Sequence, residues 1–439
     1  MKKLADLKKF KMKKALFWLI FLFPAWGMAD EYDQIRFVDQ VYLNSIRTVQ
    51  LVQQGKPFST PIYTLNSPEV LALSFDDLNG GFEAYNYTLI HCNADWTPSN
   101  LFQNQYLEGL FDDQIITNTP SVNTIQKYTH YELMLPNANM QLKQSGNYLL
   151  LVYRNFDKSQ PVLTRRFFVL GTTFSVIPYL RRASKPSEIF TSHELDFDIN
   201  TQNVRVFNPF EEVKVIIRQN GRWDKEVAGL TPLFVRENML SYDFADRNIF
   251  KAGNEFRKVD LRSLRFRGDG MATLEVSNKG NFVEMRIDES RSDRRYLFYE
   301  DINGRFLIQN MEGRDARNDG DYITVKFKLA YPNGPIENGK VFIMGYFGDW
   351  KANEDTEMFY NFDTGQYEKE LYLKQGFYDY KYGFQRNGSR FIDDDYFEGS
   401  HEETENDYEI FVYHRPPTSA QFDRLVAYTK VNSLNRLGR

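Results

Sequence analysis

The sequence predicts an all-β protein built from tandem immunoglobulin-like or β-sandwich domains, and three observations carry that expectation. Aromatic side chains make up 16% of the 439 residues, with 37 Phe and 27 Tyr, residue types that suit a pleated, half-buried surface. Apolar residues recur in short runs bounded by Gly, Asn, Pro and Asp, while sustained helical periodicity is scarce. The length exceeds what one ordinary core organises, so two or three domains are expected.

The first 29 residues read as a secretory leader. A basic run (Lys8, Lys9, Lys11, Lys13, Lys14) precedes an apolar run from Ala15 to Pro24, then Ala25-Trp26-Gly27-Met28-Ala29 and an abrupt change to Asp30-Glu31. Cleavage is expected after Ala29, with Gly27 and Ala29 as the small pair, and Met12 is an alternative start. The apolar run is shorter than the roughly 20 residues a membrane span needs. No cysteine lies near the cut, so no acyl anchor is expected.

Removing the leader takes away seven Lys and one Asp and moves the net charge from −5 to −11. Such an acidic chain suits neither nucleic acid nor an anionic membrane surface. Cys92 is the single cysteine, so no intrachain disulfide can form. It reads as a small buried apolar residue.

In chain order, the first domain is expected over residues 30–171, with strands at 70–75, 85–91, 131–135, 148–154 and 165–170. The turn Ser145-Gly146-Asn147 feeds the Tyr-Leu-Leu-Leu-Val-Tyr run that starts at Tyr148. A central β domain is expected over 172–309, with strands at 194–199, 213–219, 240–244, 256–261 and 282–287. Asn303-Gly304 reads as a tight turn between strands at 296–299 and 306–309. The polar, Gly-containing stretch 310–320 reads as a linker. The last domain is expected over 321–415, with strands at 323–329, 340–345, 367–373, 377–384 and 408–413, closed by Pro416-Pro417. The tail, 416–439, reads either as a short amphipathic helix on Phe422, Leu425 and Val426 or as loose chain. A faint echo links Gln144-Ser145-Gly146-Asn147-Tyr148 with Lys374-Gln375-Gly376-Phe377-Tyr378, each a turn feeding a Tyr-rich strand.

No catalytic or metal constellation stands out, and no cofactor is expected. His91-Cys92 with Asp95 has the residue types of a nucleophilic site. Neighbours in a strand point to opposite faces, however, so His91 cannot directly activate Cys92. The other histidines (His130, His193, His401, His414) are scattered and lack zinc spacing. Asp393-Asp394-Asp395, Glu402-Glu403, Asp76-Asp77 and Asp301-Ile302-Asn303-Gly304 are acidic, but none completes a calcium loop; solvated turns explain them. Trp96, Trp223 and Trp350 each follow a turn-like sequence and read as strand-end core residues or as anchors for a partner or sugar ring.

The chain resembles the plug protein family of the type IX secretion system. The resemblance rests on Asn86-Tyr87-Thr88-Leu89-Ile90-His91-Cys92-Asn93-Ala94-Asp95-Trp96, Ser145-Gly146-Asn147-Tyr148, Gln219-Asn220-Gly221-Arg222-Trp223 and Ala252-Gly253-Asn254-Glu255-Phe256-Arg257. Leu373-Lys374-Gln375-Gly376, Glu398-Gly399-Ser400 and Glu405-Asn406-Asp407-Tyr408 complete it. It implies a non-enzymatic periplasmic protein that binds the outer-membrane translocon barrel and occludes its periplasmic opening. It supplies no contact residues for that interface.

The last domain also resembles a glycogen-binding type of carbohydrate module, an early-set sandwich. Val341 to Trp350 is similar to that family's first strand and Trp-bearing turn, and Leu373-Lys374-Gln375-Gly376 with Tyr380-Lys381-Tyr382 to its later hairpin. This resemblance implies sugar contacts at Trp350, Lys381 and Asn406, with the second aromatic platform replaced near Phe391. An exported carbohydrate-binding protein is therefore the alternative expectation.

Overall fold

Strand pairing, rather than chain order, divides this molecule. The computed structural model describes residues 35–202, 204–244, 246–313, 315–417 and 422–435. The expected leader and its cleavage point after Ala29 lie outside them.

The first unit pairs two sheets. One runs in the order Gln40–Val41, Asp157–Leu170, Gly146–Arg154, Tyr85–Cys92, Asp112–Gln114, with Ile62–Thr64 added parallel to Asp157–Leu170. The other runs Ile46–Gln53, Leu71–Asp77, Thr129–Leu135, Thr117–Pro120. Strand alternation explains the uninterrupted apolar runs. Tyr148, Leu150 and Val152 face the core between these sheets with Leu73, Phe75 and Tyr87. Leu149, Leu151 and Tyr153 face the other way, onto Phe411 and Tyr413 of the next unit. A sheet covered on both faces has no solvent side to mark with polar residues, and all eight residues of Tyr85–Cys92 are buried.

The middle unit is also a sandwich. Ser175–Arg182, Ser192–Asn200, Met239–Tyr242 and Phe234–Arg236 form one layer; Glu226–Leu230, Val213–Gln219, Asp407–His414 and Arg424–Asn432 form the other. Leu195, Phe197, Ile199, Val215, Ile217, Ile410 and Val412 fill the space between. The third unit is a curled nine-stranded sheet in the order Arg257–Asp260, Gly376–Arg386, Gly339–Met344, Glu357–Asn361, Gln366–Lys374, Tyr322–Ala330, Gly280–Met285, Met271–Ser277. Phe306–Ile308 pairs with Gly376–Arg386.

The all-β expectation holds, with multiple antiparallel sheets, but the expected blocks 172–309 and 321–415 are not the units. The third unit interrupts the middle one, because Asp407–His414 pairs with Val213–Gln219 across almost two hundred residues of sequence. Strands at 257–285, expected in the central block, belong to the sheet of the third. The expected tail helix on Phe422, Leu425 and Val426 does not form, and residues 424–432 are not loose chain. Arg424–Asn432 is a nine-residue strand on Asp407–His414. Residues 296–299 form no strand, and Phe306–Ile308 pairs elsewhere; Asn303-Gly304 is still a turn, with both φ positive. The stretch 310–320 is anchored rather than free, since Val122 N donates to Asn318 O at 2.9 Å and the Tyr128 hydroxyl to Gly320 O at 2.8 Å.

The sequence echo has a structural counterpart. The Tyr148 hydroxyl donates to Gln144 O (2.8 Å) and the Tyr378 hydroxyl to Lys374 O (2.6 Å). Each tyrosine reaches back four residues to fix the turn that enters its strand, a device typical of immunoglobulin-like sandwiches.

Candidate functional site

The side chains with the most demanding chemistry converge where the units meet, as charges held between aromatic rings. Between the first and middle units, Phe168 stacks on Phe411 at 4.4 Å and Trp96 stands edge-on to Trp223 at 5.4 Å. The Arg166 guanidinium lies 3.4 Å from the Trp223 ring centre. Asp39 accepts from Trp223 Nε1 at 2.6 Å and Arg166 N at 2.7 Å. Arg218 pairs with Glu409 at 3.0 Å, both side chains buried. Despite burial, that guanidinium holds the Glu409 carboxyl below its usual range.

Between the middle and third units, Arg222 pairs with Asp394 and Asp224, each at 2.6 Å, and lies 4.3 Å over Trp350. Between the first and third units, Lys374 pairs with Asp76 at 2.7 Å and Arg165 with Asp349 at 3.3 Å. A desolvated cation over an aromatic face is worth up to about 2 kcal/mol. A buried charge stripped of its partner costs more. Sliding any unit past another would uncover several such groups at once, so the three units form one stiff body.

None of the expected sites is assembled. His91 and Cys92 face opposite layers. The imidazole bonds Ser99 Oγ (2.9 Å) and Ser145 O (3.3 Å) and packs on Tyr148 and Phe422. Cys92 sits fully buried in the apolar layer with Ile90 and Leu149. Burial pulls the imidazole down to about 4 and pushes the thiol up, leaving neither base nor nucleophile at neutral pH. Asp95 is exposed and accepts from Thr97. Asp76 and Asp394 are not solvated turn residues as expected but buried ion-pair partners. Among the described residues, no group of three or more His, Cys, Asp or Glu is placed to hold a metal ion.

The sugar-contact expectation also meets a geometric obstacle. Trp350 is only 3% exposed, with Phe256 at one edge and Arg222 over its face. The Lys381 ammonium lies 3.9 Å over the Phe256 ring, and Asn406 bonds Gln219, Asn220 and Ala252. All three side chains are interior, so no ring face is open for a sugar to stack on. Phe391 is exposed, but it stands without Trp350 as a second platform.

One buried carboxyl sets a pH dependence. Asp379 Oδ2 accepts from Ile302 N (2.6 Å) and Gly304 N (3.2 Å), while Oδ1 has no partner among the described residues. Burial, with the Asp301 charge, pushes its pKa up to about 8. The folded state therefore holds this proton more tightly than the unfolded chain, where an aspartate titrates near 3.9. The resulting stability is fully present below about pH 4 and is lost as pH rises through about 8. Asp379→Asn is expected to flatten the decline in urea midpoint between pH 6 and 9. An unchanged slope refutes this assignment.

A family model described as the type 9 secretion system plug protein first domain matches residues 46–171, nearly the whole first unit. The first unit belongs to the type IX secretion system plug family. A crystal structure of a hypothetical protein from Parabacteroides merdae ATCC 43184 is similar over 91% of this chain and 100% of that one, at 33% identity and a TM-score of 0.87. No curated protein matches the chain.

Membership in the plug family associates the protein with type IX secretion, and the motifs that carry the resemblance now have places. They pair with one another. Asn147 donates to Asn93 O (3.0 Å), Asn220 to Asn406 Oδ1 (2.7 Å), Asn254 to Glu398 O (2.8 Å) and Gly253 N to Ser400 Oγ (2.8 Å). Sequence reasoning missed Asp39, Arg218 and Glu409 entirely and read Asp76 as a solvated turn residue. The local signal was arginine beside aromatic residues, in Arg165-Arg166-Phe167-Phe168 and in Gln219-Asn220-Gly221-Arg222-Trp223.

Proposed function

We propose that this protein is a non-enzymatic periplasmic component of the type IX secretion system. It binds the outer-membrane translocon barrel and occludes its periplasmic opening. The family match over the first unit carries this reading. The physical architecture supports it: a stopper must resist deformation, and three β units locked by buried ion pairs do so. The first unit also offers an apolar surface. Phe102 and Phe156 are 77% and 78% exposed, and they flank the edge strand Asp112–Gln114 through the bonds of Gln103 to Thr88, Thr88 to Phe111 O and Lys158 to Asp112. Exposed aromatics around an edge are what a standard interface of roughly 1,600 Å² uses as anchors.

Affinity isolation of the tagged protein from native outer membranes is expected to recover the barrel, and deletion to make the outer membrane leaky to a large antibiotic. Recovery of soluble enzymes or glycans alone, with an unchanged permeability barrier, refutes the proposal. Carbohydrate binding gains no support from a buried Trp350.

A further inference from the structure

A cleft of about 340 Å³ opens between the first and third units. Ile46–Gln53, the terminal strand of its sheet, forms one wall, and edge strands leave backbone groups available to a further chain. Tyr346, Phe347 and Tyr372 of the third unit line the other side. The strand is bulged between Arg47 and Gln50, and Thr48 holds φ 55 there. A β-branched residue in the left-handed region is strained. Its hydroxyl is tied to the Tyr322 hydroxyl of the third unit at 2.7 Å. Bulges re-aim neighbouring side chains, and the neighbour here is Arg47.

Arg47 is the unusual cation. The other basic groups of the cleft are committed: Arg165 to Asp349, Lys351 to Gln40, Lys369 to Glu354 O and Lys374 to Asp76. Arg47 is half-buried in the cleft wall; its main chain pairs with Asp76 in the ladder, while its guanidinium makes no hydrogen bond or ion pair with any described residue. The acids Asp355 and Glu370 stand at the exposed rim, where water solvates them.

We propose that this cleft binds a peptide carboxylate, with Arg47 as its counter-ion and the rings of Tyr346, Phe347 and Tyr372 receiving an adjacent apolar side chain. A single uncommitted guanidinium matches a monoanion that it can bind through two parallel hydrogen bonds, not the double charge of a phosphate. The edge strand selects an extended chain over a compact ligand. The proposal stands on the cleft alone and is independent of the occlusion reading.

The test is calorimetric titration of the mature full-length protein with acetyl-Ala-Leu-Phe as free acid and as amide, acetyl-Leu-Asp-Phe amide, and phenyl phosphate. The acid is expected to bind at least about tenfold more tightly than its amide, and Arg47→Gln to abolish that preference. If the Asp-containing amide matches the acid, the site accepts a side-chain carboxylate; if it does not, the chain terminus is the source. Either result supports the proposal provided the acid–amide preference is present. Equal binding of acid and amide, an unchanged preference in Arg47→Gln, tighter binding of phenyl phosphate, or no heat up to about 5 mM peptide overturns it. Should Arg47→Gln fail to fold, the acid–amide comparison on the unaltered protein decides the matter.

Discussion

Lys374→Met is expected to destabilise the protein by about 3–5 kcal/mol, the usual cost of stripping one partner from a buried ion pair. The Lys374 ammonium and Asp76 carboxylate are almost wholly buried, 2.7 Å apart, in the joint between the first and third units. The ammonium also donates to Arg317 O at 2.7 Å and lies 4.1 Å over the Tyr128 ring. With methionine there, the aliphatic stem is replaced but the charge on Asp76 is not answered. His130 and the Tyr322 hydroxyl remain beside Asp76, at 2.6 and 2.7 Å, and cannot replace a fixed cation. The double variant Asp76→Asn/Lys374→Met removes both charges and is expected to regain most of the loss, since the pair costs nearly as much to bury as it returns. Urea unfolding of both variants measures the difference. A single variant within about 1 kcal/mol of the parent, far below the buried-pair range, shows that the joint does not depend on this contact.

Strand identity was legible in the sequence; strand partnership was not. Val213–Gln219 matches its expected bounds at both ends, because Val213, Val215 and Ile217 alternate toward one core. Nothing local to those seven residues states that their neighbour is Asp407–His414. A period of two reports which face is buried, and pairing across an insertion is a long-range property. The tail failed for a related reason. Phe422, Leu425 and Val426 have helical spacing, yet Phe422 packs on His91 and the following residues complete a sheet whose edge would otherwise lie open.

The candidate site shows the same division. Asn220-Gly221 and Gly348-Asp349 were readable as turns, and both adopt positive φ at a non-glycine position, Asn220 and Asp349. The direction of the following tryptophans was not readable. Trp223 and Trp350 turn inward under arginine caps, Arg166 and Arg218 on the first and Arg222 on the second. An arginine that stacks on a ring and one that faces water look alike in a sequence window. Residues such as Asp39 carry no pattern at all; their role exists only once Trp223 and Arg166 arrive beside them.

Arg218→Ala is expected to cost at least as much as the Lys374 change, about 3–5 kcal/mol from the broken buried pair with a further loss from stacking. The guanidinium bonds Glu409 through Nε at 3.0 Å and lies 4.3 Å from Trp223, 5.1 Å from Phe411 and 5.4 Å from Phe168. Truncation leaves the Glu409 carboxylate with the Thr60 and Tyr428 hydroxyls and the more distant charges of Arg305 and Lys430 and opens a void among three rings. Arg218→Lys separates these contributions. It retains a cation for Glu409 but not the planar fork that bonds and stacks at once, so it is expected to recover part of the stability while Trp223 stays loosened. Trp223 sits in this joint, so tryptophan emission should shift to the red in both variants before global unfolding, and trypsin should cut faster between the first and middle units. If Arg218→Ala unfolds at the parent's denaturant midpoint with unshifted emission, the joint is not held by this arginine, and the stiffness argued for the whole body loses its strongest support.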